Sequence, residues 1–244
     1  MLLVFLVLLI ACIPLSFVYP KTYSSLPSTP SYWMESLNKV QYDHKALTQV
    51  AFGCLEEQPS VTILNPYEYI RVYNSGLYLI VAIDAQAQED EIVKVKCNVS
   101  VVDVGCVGHT YKLMYASVQA SLVNILEMYQ KPVILVGHSI GGVLAQVAAY
   151  DLLSRNIKVY QVVTFGSPPA GSREFNDWVC TRTRCKRHQN MYDPVLYLSE
   201  PVFQYHEGET IIVGQLQPSH QLDTLHQKPL LSREHTEYYG FKRC

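Results

Sequence analysis

Short runs of mostly apolar residues, separated by stretches of helical periodicity, restrict the possible folds of this chain most strongly. Residues 77–83, 133–136 and 159–165 form such runs, each of a length that suits a strand buried on both faces. Between them, residues 112–129 repeat apolar positions at spacings of three and four, and residues 140–153 are rich in Ala, Val and Leu. Strands that alternate with helices predict the α/β class, with a mostly parallel central sheet and helices on both faces.

The composition fits one folded domain. The chain has 244 residues, of which 49% are hydrophobic and 16% charged, and this balance excludes a disordered or low-complexity protein. Its formal net charge is −2 and it has no basic block, so a nucleic-acid partner is not expected. No break in composition demands a second domain. We interpret residues 42–244 as a single domain that follows an irregular leader at residues 19–41.

The amino terminus is typical of a secretory signal peptide. Residues 2–13 are apolar and uncharged, and this run is shorter than the roughly 20 residues of a membrane-spanning helix. We therefore predict a signal peptide at residues 1–18, cleaved after Val18. An uncleaved membrane anchor, or a lipoprotein cleavage box at residues 9–12, is the alternative. No second long apolar run follows, so the mature chain is expected to be secreted and to lack a transmembrane span.

The cysteine count supports an oxidising compartment. Removal of the signal peptide leaves six cysteines, and an even number in a secreted chain predicts disulfides, with 15 possible pairings. They are Cys54, Cys97, Cys106, Cys180, Cys185 and Cys244. Zinc sites need close pairs such as C-x-x-C, which the sequence lacks, so no metal site is expected. Asn98 begins a glycosylation sequon that would be usable in the same compartment.

The sequence Gly-His-Ser-Ile-Gly at residues 137–141 stands between a predicted strand and a predicted helix. This is the context of a nucleophile elbow, in which a sharp turn strains the backbone at Ser139 and holds its hydroxyl at the carboxyl end of the sheet. Gly137 and Gly141 leave room for neighbouring backbone, and the following helix directs its positive end at the site. His138 is expected to be structural. A glycine-rich turn with an idle serine is the alternative.

A serine becomes an effective nucleophile only when a base removes its proton. In hydrolases whose serine lies in a nucleophile elbow, the acid and then the histidine follow the serine along the chain. Asp193 ends a short predicted strand, where its carboxylate would reach the active edge of the sheet. A plain Asp-Pro turn is the alternative. Order alone does not choose among the later histidines, which are His206, His220, His226 and His235.

These motifs resemble the fungal-type, or class 3, triacylglycerol lipases, a family that includes feruloyl esterases. The similarity extends over nearly all of the mature chain. It includes the elbow with its helix, the next strand and loop, the acid segment, a late hairpin, and a histidine followed by aromatic residues and Gly. In the same order, these segments are residues 136–145, 164–171, 193–195, 205–209 and 234–240.

The resemblance implies an α/β-hydrolase fold and a secreted serine hydrolase that cleaves carboxylic esters of the lipid or acylglycerol type through an acyl-enzyme. It implies that Ser139 is the nucleophile, Asp193 the orienting acid and His235 the general base, whereas His206 would be structural. The expected partner is an ester substrate, including one at a lipid interface, and the protein is expected to be a monomer. No cofactor is expected. The implied disulfides are Cys54–Cys244, Cys97–Cys106 and Cys180–Cys185.

The oxyanion hole departs from the family pattern. One donor is expected to be the backbone N–H of Ile140, and a second donor must aim at the same oxygen. The family supplies the second from a strand end that reads Phe-Arg-Gly followed by Ser or Thr, whereas residues 82–86 here read Ala-Ile-Asp-Ala-Gln. We expect Gln86 to take that place, or a backbone N–H at Ala85 or Gln86. The departure leaves open a lipase-like binding protein with weak or no catalysis.

Overall fold

The computed structural model describes most of the predicted domain. The described residues are 17–18, 44–55, 58–65, 68–85, 99–101, 104–197, 209–213, 233–239 and 241–242. The strands are β1 (Phe17–Val18), β2 (Val61–Leu64), β3 (Glu68–Asn74), β4 (Leu79–Ala85), β5 (Val99–Val101), β6 (Gly105–Val107), β7 (Val133–His138), β8 (Val159–Phe165), β9 (Arg184–Gln189), β10 (Glu209–Ile212), β11 (Glu237–Tyr238) and β12 (Phe241–Lys242). The helices are α1 (His44–Phe52), α2 (His109–Tyr129), α3 (Ile140–Ser154), α4 (Arg173–Arg182), a 3-10 turn (Pro194–Tyr197) and α5 (Arg233–Thr236).

An eight-stranded sheet lies at the centre of the described part of the chain, in the order β1-β2-β3-β4-β7-β8-β9-β10. From β4 to β10 every neighbouring pair is parallel, whereas β1, β2 and β3 add an antiparallel side. The mostly parallel sheet predicted from the apolar runs is therefore confirmed. The carboxyl ends of β4, β7, β8 and β9 meet at one edge of the sheet because these strands are parallel. The segments that follow them therefore come together at this edge.

Apolar side chains cover both faces of the central strands. On one face, a core cluster packs Val81 and Leu135 against α2, α3 and α4. On the other face, Ile80 and Val136 pack with α1 and with Tyr238. The strands β4, β7 and β8 therefore need apolar residues at consecutive positions, because all but one position of β4 and one of β8 are buried. Helices lie on both faces, as predicted.

Helix α3 is buried along most of its length because it lies between the sheet and its neighbours α2 and α4. The helix α2 begins at His109, three residues before its predicted start. A larger difference concerns the segment before Asp193. The strand predicted to end there ends instead at Gln189, and Asp193 lies in a turn before the 3-10 helix. Asp-Pro favours the start of a turn, and a turn does begin at Asp193, where the Leu196 N–H donates to the Asp193 carbonyl. The turn was therefore the correct interpretation of Asp-Pro, and the strand was not.

The described cysteines are disulfide-bonded. Cys180 and Cys185 form one disulfide, with an S–S distance of 2.05 Å, and join α4 to the start of β9 as the resemblance implied. Cys54 and Cys106 are also in disulfides. Cys244 and Cys97, the partners that the resemblance implies for Cys54 and Cys106, lie outside the described residues, as does Asn98. So does most of the predicted signal peptide, except that Phe17–Val18 pairs with β2.

None of the helices that the structure describes is both long and apolar enough to cross a membrane.

Glu68 is a buried carboxyl group at the active edge of the sheet. It begins β3 opposite Ala85, is 2% exposed, and accepts a hydrogen bond from the Ser117 hydroxyl at 3.1 Å. Burial raises the pKa of Glu68, and hydrogen bonds from Asn65 and Ser117 offset only part of that effect. The folded state therefore holds the proton more tightly than the unfolded state does.

This shift gives a pH-dependent prediction. A raised folded-state pKa favours folding below the unfolded pKa, and that advantage is lost as pH rises through the folded pKa. The Glu68→Gln variant has no ionisable group at this position. We therefore expect its free energy of unfolding, relative to that of the wild type, to increase as the pH rises from 4 to 8 in urea titrations. Glu127→Gln, at an exposed position of α2, is the control, because it measures the effect of removing a carboxyl group from the surface. A constant difference between wild type and Glu68→Gln across this pH range would contradict the assignment.

Candidate active site

The turn between β7 and α3 forces Ser139 into a rare backbone conformation. Its φ is 56° and its ψ is −128°, a region that a residue with a side chain seldom adopts. Its backbone N–H donates to the carbonyl of Phe165 on the neighbouring strand at 2.9 Å, which holds the turn against β8. Ser139 is only 5% exposed. The predicted elbow is therefore present, with the strain that its sequence pattern implied.

Two glycines allow this turn to pack tightly. A Cβ atom on Gly141 would collide with the carbonyl oxygen of Ile83 on β4, and one on Gly137 would collide with the backbone of Gly141. Both obstacles are backbone atoms that cannot rotate aside. The first turn of α3 thus lies directly against the end of β4. The second oxyanion donor is expected at this strand end.

Ile140 lies at the beginning of α3 and is 2% exposed. The first N–H groups of a helix have no acceptor within the helix, and the helix dipole makes this end positive. The N–H of Ile140 is therefore suited to an oxygen that becomes negative beside Ser139. Gln86 lies outside the described residues.

Asp193 and His235 form a buried pair. The Nδ1 atom of His235 lies 2.8 Å from Oδ2 of Asp193, and the two side chains are 1% and 0% exposed. A carboxylate oxygen accepts hydrogen bonds, so Nδ1 carries the proton and Nε2 of the neutral ring carries the lone pair. This is the tautomer that a general base requires.

The carboxylate of Asp193 is fixed at both of its oxygens. Its Oδ1 accepts from the backbone N–H of Val195 at 2.9 Å, a contact that the following 3-10 turn creates. Its Oδ2 accepts from the hydroxyl of Tyr238 at 3.2 Å in addition to His235. The same hydroxyl accepts from the backbone N–H of Asn190 at 3.1 Å. Tyr238 therefore connects the acid to the loop after β9.

Sequence reasoning did not identify Tyr238 as a member of the site. The available signal was the aromatic residue three positions after His235, which the family resemblance quoted only as part of a motif. Tyr238 is fully buried, and its ring packs edge-on against Phe52, Phe165 and His138. Its ring therefore packs in the core, whereas its hydroxyl donates to the carboxylate of Asp193.

The pair and the elbow lie at the ends of adjacent strands. Gly166 follows β8 with a φ of 53°, and a Cβ atom there would stand 2.7 Å from Asp193 Oδ2 and 3.2 Å from His235 Nδ1. The carbonyl of Phe165, the residue before it, is the acceptor of the Ser139 N–H. The elbow with Ser139 and the pair of Asp193 and His235 thus both lie around the carboxyl ends of β7 and β8.

The other histidines from the elbow onward fall into two groups. His138 and His188 are buried in the face of the sheet that α1 covers, where His188 stacks on Phe165 with ring centroids 4.6 Å apart and contacts the Tyr239 hydroxyl at 2.8 Å. His206, His220 and His226 lie outside the described residues. Among the described side chains, no group of three His, Cys, Asp or Glu residues is arranged to hold a metal ion.

Comparisons with solved structures agree on the fold. The Rhizomucor miehei triacylglyceride lipase shares 20% identity over 75% of this chain and 77% of its own, at a TM-score of 0.55. Lipase II from Rhizopus niveus shares 17% identity over 72% of this chain and 77% of its own, at a TM-score of 0.53. The mono- and diacylglycerol lipase from Aspergillus oryzae shares 15% identity over 75% of this chain and 77% of its own, at a TM-score of 0.55. No curated protein sequence matches the chain.

The sequence profile described as lipase (class 3) matches residues 74–200, just over half of the chain. The matched region includes the elbow with Ser139 and the turn with Asp193, and it stops before His235. The predicted resemblance is thereby confirmed. The chain belongs to the class 3 lipase family of carboxylic ester hydrolases and has the α/β-hydrolase fold.

Proposed function

We propose that this protein is a secreted serine hydrolase that cleaves esters of the lipid or acylglycerol type through an acyl-enzyme. Ser139 is the nucleophile, His235 the general base and Asp193 the orienting acid. The observation that carries this proposal is the buried hydrogen bond between His235 Nδ1 and Asp193 Oδ2, at the edge of the sheet where the elbow holds Ser139.

The reaction begins when the Ser139 hydroxyl attacks the ester carbonyl carbon and its proton passes to Nε2 of His235. The resulting tetrahedral oxyanion accepts a hydrogen bond from the Ile140 N–H. When the intermediate collapses, the bond to the alcohol oxygen breaks, and His235 returns the proton to that oxygen. Water then repeats the sequence on the acyl-serine. It gives its proton to His235, releases the acid and regenerates the Ser139 hydroxyl.

Asp193 supports both steps without changing its own protonation state. Its negative charge stabilises the imidazolium form of His235 that appears after each proton transfer. Because the pair is buried, the attraction acts in a medium of low polarity and is stronger than it would be in water. The contacts from Val195 and Tyr238 keep the carboxylate in place during the reaction.

The second oxyanion donor is proposed to be Gln86, through its backbone N–H or its side chain. The support is the position of its neighbour, since Ala85 ends β4 and the carbonyl of Ile83 packs against Gly141 in the elbow helix. The alternative is a lipase-like binding protein with weak catalysis. The observation that favours it is the stretch Asp84-Ala85-Gln86, which lacks the Arg, the Gly and the hydroxyl residue of the family pattern.

Secretion is proposed from the amino-terminal apolar run together with the disulfides. Cys54, Cys106, Cys180 and Cys185 are all disulfide-bonded, as is typical of proteins from oxidising compartments. We propose that residues 1–18 are removed and that residues 42–244 act as one monomeric domain. The Aspergillus oryzae relative is described as a mono- and diacylglycerol lipase, and esters of this chemical class are the proposed substrates.

A fluorophosphonate probe tests the nucleophile directly, because it bonds covalently to a serine that a base has activated. We expect the purified wild type to be labelled and the Ser139→Ala variant to be unlabelled. Ser167→Ala removes another buried serine, on the loop after β8, and should be labelled like the wild type. A folded wild type that fails to react would contradict the proposed activity and favour the binding alternative.

A further inference from the structure

His138 precedes the nucleophile but its side chain contacts the base. We propose that His138 is a positioning residue: its Nε2–H holds the backbone carbonyl of His235 while its ring packs against the His235 ring. These two contacts fix the general base relative to Asp193. The inference rests on the proposed function, because it takes His235 to be the general base.

The backbone contact fixes the protonation of His138. Its Nε2 atom lies 2.7 Å from the carbonyl oxygen of His235, and the His138 side chain is only 3% exposed. A carbonyl oxygen can only accept a hydrogen bond, so the proton must be on Nε2 of His138. This arrangement is opposite to that of His235, which donates from Nδ1.

The ring contacts hold His138 from two sides. Its centroid lies 4.5 Å from that of His235, with a tilt of 36°, and 4.7 Å from that of Phe52, which meets it edge-on at 71°. Phe52 is the last residue of α1 and is 1% exposed. The ring of His138 therefore cannot move without displacing either α1 or the base.

The base needs such support because its own helix is very short. His235 lies in α5, which has four residues and cannot be stable through its own hydrogen bonds alone. Asp193 holds the His235 side chain and His138 holds its backbone, so the imidazole is anchored at two points. A misplacement of the base by about 1 Å can cost about 100-fold in rate.

Two substitutions separate the donor from the ring. His138→Phe keeps an aromatic ring but lacks the N–H, whereas His138→Gln keeps an N–H donor at a similar distance from the backbone but lacks the ring. We expect His138→Phe to lower kcat for a soluble ester about 10- to 100-fold with KM changed less than about twofold, because the His138 ring is buried between Phe52 and the base. His138→Gln should recover most of the lost kcat. A Phe variant with wild-type kcat would overturn the proposal.

A second measurement needs no turnover. Long-range 1H–15N NMR spectra of the wild type report which ring nitrogen of each histidine carries the proton, and the signals that disappear in His138→Gln assign His138. We expect Nε2 of His138 to be protonated at pH 7. An active wild type in which that nitrogen is unprotonated overturns this inference alone. A wild type with a protonated Nε2 and no esterase activity overturns the proposed function, and the positioning role with it.

Discussion

Replacing Asp193 with Asn is expected to lower kcat for ester hydrolysis by about 10⁴-fold, the size of the loss seen when a triad acid is neutralised. The amide can present an N–H group toward His235, and Nδ1 would then have to accept that hydrogen bond. The proton of the neutral ring would move to Nε2, which could no longer receive the proton of Ser139. Initial rates with a soluble chromogenic ester, measured at saturating substrate on purified variants, test this expectation.

Tyr238→Phe is the matched control for Asp193→Asn. It removes one neutral donor from the same carboxylate oxygen, and the acceptor of the Asn190 N–H, but leaves the charge, the His235 contact and the packed ring in place. A hydrogen bond of this kind contributes about 1 kcal/mol, so the loss in kcat should be no more than about tenfold. An Asp193→Asn enzyme that is as active as Tyr238→Phe would show that the acid lies elsewhere.

Gly141→Ala is expected to reduce the free energy of unfolding by more than about 4 kcal/mol, a size reserved for disruption of a packed core. The added methyl group would overlap the carbonyl of Ile83, so either α3 or β4 must shift. Both elements belong to the main core cluster, and neither can move without opening cavities around it. Urea unfolding with the disulfides intact measures the change.

Ala148→Gly provides the comparison on the same helix. Ala148 is fully buried in α3, and its replacement costs helix propensity and one methyl group without any overlap. The expected destabilisation is about 1–2 kcal/mol. If Gly141→Ala proved no more damaging than this variant, the close approach of α3 to β4 would be refuted.

The fold could be predicted because its signals are local. Strands β4, β7 and β8 are buried on both faces, and that requirement appears in the sequence as continuous apolar runs. The elbow could be predicted in the same way, since the tight turn at Ser139 needs residues without a Cβ atom at Gly137 and Gly141. Sequence periodicity and a five-residue motif were sufficient for both.

The support of the site could not be predicted because it depends on contacts between distant positions. The hydroxyl of Tyr238 reaches Asp193 across 45 positions, and His138 reaches the carbonyl of His235 across 97. Nothing in the local pattern around either residue specifies such a partner. The strand expected before Asp193 was wrong for a related reason. The carboxylate is positioned by a turn and by its hydrogen bonds, and the strand ends earlier.

The 97 positions between His138 and His235 also set an order of events during translation. A ribosome adds Ser139 and all strands through β9 before it adds His235, so on the proposed mechanism a nascent chain contains the nucleophile before it contains the base. Because His235 and Tyr238 come later in the chain, the buried pair of Asp193 and His235 can form only after every strand through β9 has been synthesised.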